Sequence, residues 1–204
     1  MKQLNVQQQM DKLLDSLKSN NVRPTLLLHV CCAPCSSYVL EYLSGFFDIT
    51  VFYYNPNIEP ESEYLKRADE LQRFLKDAHY SDDISLVTGE YENELYHENI
   101  KGLENEPERG KRCVKCFEMR LEKTAELAKT NHFDYFTTSL SISPHKDADL
   151  LNDIGERAAQ KYNVRFLPSD FKKKGGYLRS IELSREYDLY RQDYCGCIYS
   201  KSNQ

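Results

Sequence analysis

Five short apolar runs, separated by stretches of helical period, constrain this chain more than any other feature of its sequence. The runs cover residues 25–30, 49–54, 84–87, 135–140 and 164–167. They are nearly continuous rather than alternating, as in strands covered on both faces. Between them, Tyr64, Ala68, Leu71, Leu75 and Ala78 share one helical face, and Leu150, Leu151, Ile154 and Ala158 share another. Leu4, Met10, Leu13, Leu14 and Leu17 predict an amphipathic helix ahead of the first strand. Residues 91–112 are polar without a clear period and read as a helix plus loop. Strands alternating with helices require crossovers, hence a parallel sheet between helical layers that binds ligands beyond the carboxyl ends of its strands. The expected organisation is a single α/β domain, with a helix and linker at 1–24 and a core at 25–200.

Seven cysteines decorate this scaffold. The mean hydropathy is −0.68, Met1-Lys2-Gln3 opens no signal peptide, and no run approaches the roughly 20 apolar residues that span a bilayer. A cytoplasmic protein without a membrane is expected, so an odd number of thiols excludes a closed disulfide framework. Position sharpens this. Cys31, Cys32 and Cys35 form one group, Cys113 and Cys116 a second, Cys195 and Cys197 a third. Thiols serving only as small apolar residues have no reason to cluster. The first group directly follows the first strand, at the expected ligand edge.

Cys113-Val-Lys-Cys116 opens a helix whose apolar face continues through Phe117, Leu121, Ala125 and Ala128. Thiols three apart in a first turn project to one side, where the helix dipole and nearby Lys111, Arg112 and Lys115 favour thiolates. Structural zinc commonly takes four ligands from two paired knuckles. Here there is one plain knuckle and a surplus of thiols. An iron–sulfur cluster takes four cysteines and leaves three for a second metal or a dithiol. Two other readings compete: a zinc-stabilised RNA-binding module, and a thioredoxin-like dithiol at Cys32-Ala33-Pro34-Cys35. ATP binding is disfavoured, because cysteines occupy the turn where a phosphate loop needs glycines and Pro34 removes a backbone donor.

Charge is uneven: residues 59–108 hold 15 Asp/Glu against 5 Lys/Arg, whereas 109–123 and 161–204 are basic and adjoin cysteine groups. Lys172, Lys173 and Lys174 form the densest run, and a polyanion such as RNA suits these flanks. His29 reads as a hydrogen-bonded core residue. Asn55 and Asn57 end the second strand; Ser139, Ser141, Ser143 and His145 end the fourth. All are candidates for the crevice. Tyr54, Tyr177, Tyr187, Tyr190 and Tyr194 are available to stack on bases.

His29-Val-Cys-Cys-Ala-Pro34, Tyr54-Asn-Pro-Asn-Ile58, Arg112-Cys-x-x-Cys-Phe117 with Arg120-Leu121, and Tyr190-Arg-Gln-x-Tyr-Cys-Gly-Cys197 occur in that order. On these motifs the sequence resembles the QueH family of epoxyqueuosine reductases. The resemblance implies a cobalamin-independent enzyme that converts epoxyqueuosine in the anticodon loop of tRNA to queuosine. It also implies a Rossmann-like fold of the adenine nucleotide alpha hydrolase kind, with a 4Fe-4S cluster held by cysteines at the carboxyl edge of the strands. Many members carry Asp after Cys-Cys-Ala-Pro; Cys35 stands there in this chain.

Two divisions of the thiols follow from the resemblance. In one, Cys31, Cys32, Cys113 and Cys116 hold the cluster, and Cys195 and Cys197 are a redox-active pair. In the other, Cys31, Cys113, Cys116 and Cys195 hold it, and Cys32, Cys35 and Cys197 hold a mononuclear iron. Adjacent residues at a strand end point to opposite sides, which favours separating Cys31 from Cys32. Arg191 joins Asn55, Asn57 and Lys172 to Lys174 as an expected tRNA contact. The reaction needs two electrons from an unidentified donor and two protons, with the epoxide oxygen leaving as water.

Overall fold

The run at 25–30 is the central strand of the sheet in the computed structural model, which describes residues 5–80 and 83–201. β1 (Thr25–Val30) pairs in parallel with β2 (Asp48–Tyr53) on one side and β4 (Tyr135–Thr138) on the other. β3 (Ser85–Thr88) lies outside β2 and β5 (Arg165–Phe166) outside β4, giving the order β3-β2-β1-β4-β5 with every pair parallel. This is the expected Rossmann-like α/β sheet. Alternate residues of β1 enter different layers, which explains the unbroken apolar run. Leu26, Leu28 and Val30 pack in one cluster with residues of α1 (Val6–Ser19), α2 (Ala33–Leu43) and α3 (Glu61–Asp77). Leu27 packs on the opposite face with Phe52, Phe136 and residues of α5 (Lys111–Thr130) and α6 (Ala148–Tyr162). Truncating Leu121, fully buried in that second layer, to Ala costs about 2–5 kcal/mol.

Local chemistry sets the ends of these elements. Asn5 accepts from the Gln8 N–H and Gln8 returns a bond to the Asn5 N–H, a capping box that starts α1. Leu4 lies outside the described residues. α2 begins at Ala33, not near Ser36, because Pro34 fits a first helical turn, where no amide donor is required. β4 stops at Thr138, two residues early: the Thr138 hydroxyl accepts from the Leu140 N–H, and Ser139–Ile142 turns as a 3-10 helix. The buried stripe of α3 includes Arg67 and Phe74 besides Tyr64, Leu71 and Leu75. Residues 91–112 contain α4 (Asn93–Asn99) followed by turns that lead into α5.

The chain runs outward from β1 through β2 to β3, then returns to lay β4 on the other side of β1. The crevice at such a reversal is where sheets of this kind bind ligands. Among the described residues no helix is long and apolar enough to cross a membrane.

Candidate metal centre

Cys31 and Cys32 leave the strand at that reversal. Cys32 caps α2 in an extended conformation (φ −173°, ψ 162°), so the chain swings out and the first helical turn brings Cys35 back. The three sulfurs lie within 4.8 Å of one another, and those of Cys31 and Cys32 are 3.7 Å apart. The expected opposition of Cys31 and Cys32 is thus corrected. Side-chain alternation holds only within the strand, which ends at Val30. A metal–thiolate bond of about 2.3 Å gives a tetrahedral sulfur–sulfur edge of about 3.8 Å. The Cys31–Cys32 edge therefore suits two ligands of one ion, and Cys35 completes a group within 4.8 Å.

Cys113 and Cys116 occupy the first turns of α5, and Cys195 and Cys197 flank Gly196 in the tail between α7 (Gly176–Glu186) and α8 (Ile198–Lys201). These four cysteines border one cavity of about 360 Å³, together with Asn57, Tyr96, Arg112, Arg120 and Lys146. An adjoining cavity of about 400 Å³ is bordered by Cys31, Cys35 and Cys195. Cys195, Arg120 and Lys146 border both. Cys197 thus stands with Cys113, Cys116 and Cys195 around the first cavity, whereas Cys31 and Cys35 border the second. All seven thiols are free.

Donors are aimed at the sulfurs. The Arg109 N–H reaches Cys113 Sγ at 3.3 Å, Tyr96 Oη lies 3.2 Å from Cys197 Sγ, and Ser200 Oγ lies 3.3 Å from Cys195 Sγ. Arg120 is only 3% exposed and forms no ion pair with a carboxylate among the described residues. Its Nη2 donates to Asn55 Oδ1 at 2.6 Å, and Nη1 lies 3.9 Å from Cys116 Sγ. Asn55 is locked in turn, donating to the Val30 carbonyl at 2.9 Å.

A buried cation without a carboxylate needs anions nearby, and thiolates are the anions available. Burial pushes the Cys116 thiol up to about 11, and burial together with Cys31 pushes Cys32 to about 12. Contact with Cys32 and Cys35 holds Cys31 well below the usual thiol range. Cys195 is held down to about 5 by its contact with Cys197, with Lys146 and Ser200 assisting against burial. Burial and Arg120 hold His29 at about 3, so it is neutral. The Tyr54 carbonyl can only accept, so Nε2–H donates to it (3.0 Å), and Nδ1 of the neutral ring accepts from the Thr138 hydroxyl (2.8 Å). His29 is the hydrogen-bonded core residue expected.

The model of the epoxyqueuosine reductase QueH family matches residues 26–203. This chain belongs to that family. The chain is 47% identical over 201 residues to the epoxyqueuosine reductase QueH of Streptococcus pyogenes serotype M1, covering 98% of this chain and 78% of that one. The protein of the same name from Staphylococcus epidermidis is 43% identical, with 98% and 86% covered. That from Thermotoga maritima is 37% identical, with 86% and 90% covered. Family membership makes the chain an oxidoreductase of queuosine biosynthesis and gives its cysteine-rich, potentially metal-binding site a redox setting.

The other expected contacts divide. Asn57 borders the four-thiol cavity with its Oδ1 buried and unpartnered among the described residues, whereas Asn55 is spent on Arg120 and Val30. Arg191 borders the second cavity and donates to Ser184 Oγ at 3.1 Å. Lys172, Lys173 and Lys174 line neither cavity: Lys172 bonds the Ser141 carbonyl and Asp170, Lys173 lies 4.0 Å from Asp170, and Lys174 pairs with Asp11 of α1. His145 borders both cavities. Sequence reasoning missed Tyr96 and Lys146 and used Arg120 only as part of a motif. Lys146 had a usable signal, since it follows β4 at the ligand edge; Tyr96 had none, because residues 91–112 lack a period.

Proposed function

We propose that this chain performs its family's reaction on tRNA, removing the epoxide oxygen of epoxyqueuosine by two-electron reduction to leave queuosine, with its thiols divided four and three. The observation that carries this reading is the meeting, at the sheet's reversal, of a compact thiol triad with four thiols around an adjoining cavity. Cys113, Cys116, Cys195 and Cys197 would hold a 4Fe-4S cluster, which takes four cysteines. Cys31, Cys32 and Cys35 would hold one iron, leaving a ligand position open. The donor sets fit: all seven thiols are free, the triad's sulfurs lie within 4.8 Å of one another, and the other four surround one space. Bound there, the two groups supply single electrons and a Lewis acid.

The chain's own residues prepare that setting. Arg120 and Lys146 offset the charge of the thiolates, and the Arg109 N–H and the Tyr96 hydroxyl orient sulfurs. Asn57 offers its buried acceptor to an N–H of the modified base. Exposed Arg109 borders the four-thiol cavity, where it would receive a phosphate of the anticodon loop. In this division Cys195 and Cys197 are ligands, not a disulfide-forming pair. The dithiol reading is weakened by the third thiol against Cys32 and Cys35 and by the upward shift of both.

Mass analysis of tRNA nucleosides from cells lacking this chain tests the reaction. Epoxyqueuosine accumulates and queuosine disappears; unchanged queuosine in a strain without another reductase overturns the reading. Anaerobically purified protein carries about five irons and four sulfides per chain. Zinc without sulfide would favour the RNA-binding module.

A further inference from the structure

Lys146 is held where the two thiol groups meet. Its N–H donates to the Ser143 carbonyl at 3.2 Å, closing the turn Ser143-Pro144-His145-Lys146. Immediately after it, Asp147 caps α6 by accepting from the N–H groups of Asp149 (2.9 Å) and Leu150 (3.3 Å). Both sides of the residue are therefore fixed, and the half-buried side chain borders both cavities. Glu108 borders both as well and Asp147 the first, yet neither forms an ion pair with Lys146 among the described residues. Arg120, the other cation bordering both cavities, is engaged by Asn55 and Cys116. Of these two, Lys146 is the cation with donors to spare.

We propose that Lys146 is a catalytic residue of the reduction: its ammonium group donates a hydrogen bond to the epoxide oxygen and stabilises the negative charge that develops there. The inference rests on the proposed function. In the balanced reaction an external one-electron reductant supplies two electrons, both carbon–oxygen bonds of the epoxide break, and the two ring carbons become an alkene. The oxygen takes two solvent protons and leaves as water. A fixed cation aimed at developing charge in a secluded site is among the largest contributions a protein makes to such a step. Lys146, like Arg120, adds positive charge where the two cavities adjoin.

The test uses dithionite-reduced holoenzyme and tRNA carrying epoxyqueuosine, comparing Lys146→Met and Lys146→Arg with the wild type. The Met variant is expected to lose about 10²-fold in kcat. KM, the Kd for the tRNA measured without reductant, and iron and sulfide content all stay at wild-type values. Lys146→Arg, which keeps the charge, recovers part of the loss. An unchanged kcat in the Met variant overturns the proposal. A raised KM and Kd at unchanged kcat also overturns it, and makes Lys146 a phosphate-docking group. Equal losses in both variants with loss of iron overturn it in favour of a structural role. If the wild type itself leaves epoxyqueuosine intact, the proposed function fails instead.

Discussion

Cys31, Cys32 and Cys35 come together within a single turn of chain, whereas Cys113 and Cys116 meet Cys195 and Cys197 only because the tail is strapped across α3 and α4. The triad needs little beyond the end of β1 and a helix start that tolerates Pro34. The tail needs long-range clamps. The Glu59 N–H donates to the Gly196 carbonyl at 2.9 Å, and Arg67 Nη1 to the Cys195 carbonyl at 3.2 Å. Tyr194 lies over the Arg67 guanidinium at 5.1 Å and donates to the Glu59 carbonyl. The two thiol groups thus depend differently on the fold: one is local, the other assembled and open to disruption from a distance.

The sharpest way to break this comparison is Cys116→Ala. About four irons and all sulfide should be lost, with about one iron kept by the triad, as read by iron and acid-labile sulfide per chain. Sulfide surviving that change, but lost in Cys31→Ala, would reverse the assignment. Cys35→Ala should do the converse, removing about one iron at unchanged sulfide; loss of sulfide instead would merge the two groups.

Beneath the triad, His29 supplies a pH signature. Its folded value of about 3 is below the unfolded 6.5, so the unfolded chain takes the proton first. Stability of the metal-free protein should fall as pH drops from 6.5 to about 3, by on the order of 4 kcal/mol from this group. Urea unfolding at stepped pH measures the slope, and an identical slope in His29→Gln would remove His29 as its source.

The smallest effect falls on the assembled side. Gly196 has φ 104°, and a Cβ there would come within 2.7 Å of Ile58 and 3.1 Å of Arg67 Nη1. Gly196→Ala should cost about 1–3 kcal/mol and release sulfide while the triad keeps its iron. Loss of both together would show that the two groups are not independently built.

Much of this was readable in advance, for reasons that separate by range. The continuous apolar runs announced strands covered on both faces, and α5 followed its Phe117, Leu121, Ala125, Ala128 stripe as spacing required. The edge position of Cys31 and Cys32 followed from the strand that precedes them. Arg67, by contrast, is 1% exposed in a helix whose sequence suggests an ordinary surface charge, and only its contacts with Glu63 and the tail carbonyl explain it. Beside the lysine run stand Asp11 and Asp170, distant or unremarkable in sequence, and only the packing of α1 and the loop after β5 brings them to it.

The sequence by itself determined the α/β alternation, the clustering of seven thiols and the family, because these rest on local periodicity and on residue types at short spacing. Only the tertiary structure decided which thiols stand together and which cations face them. Cys116 and Cys197 are 81 residues apart. Their meeting depends on the packing of α5, α4 and the tail against one another, which no local pattern encodes.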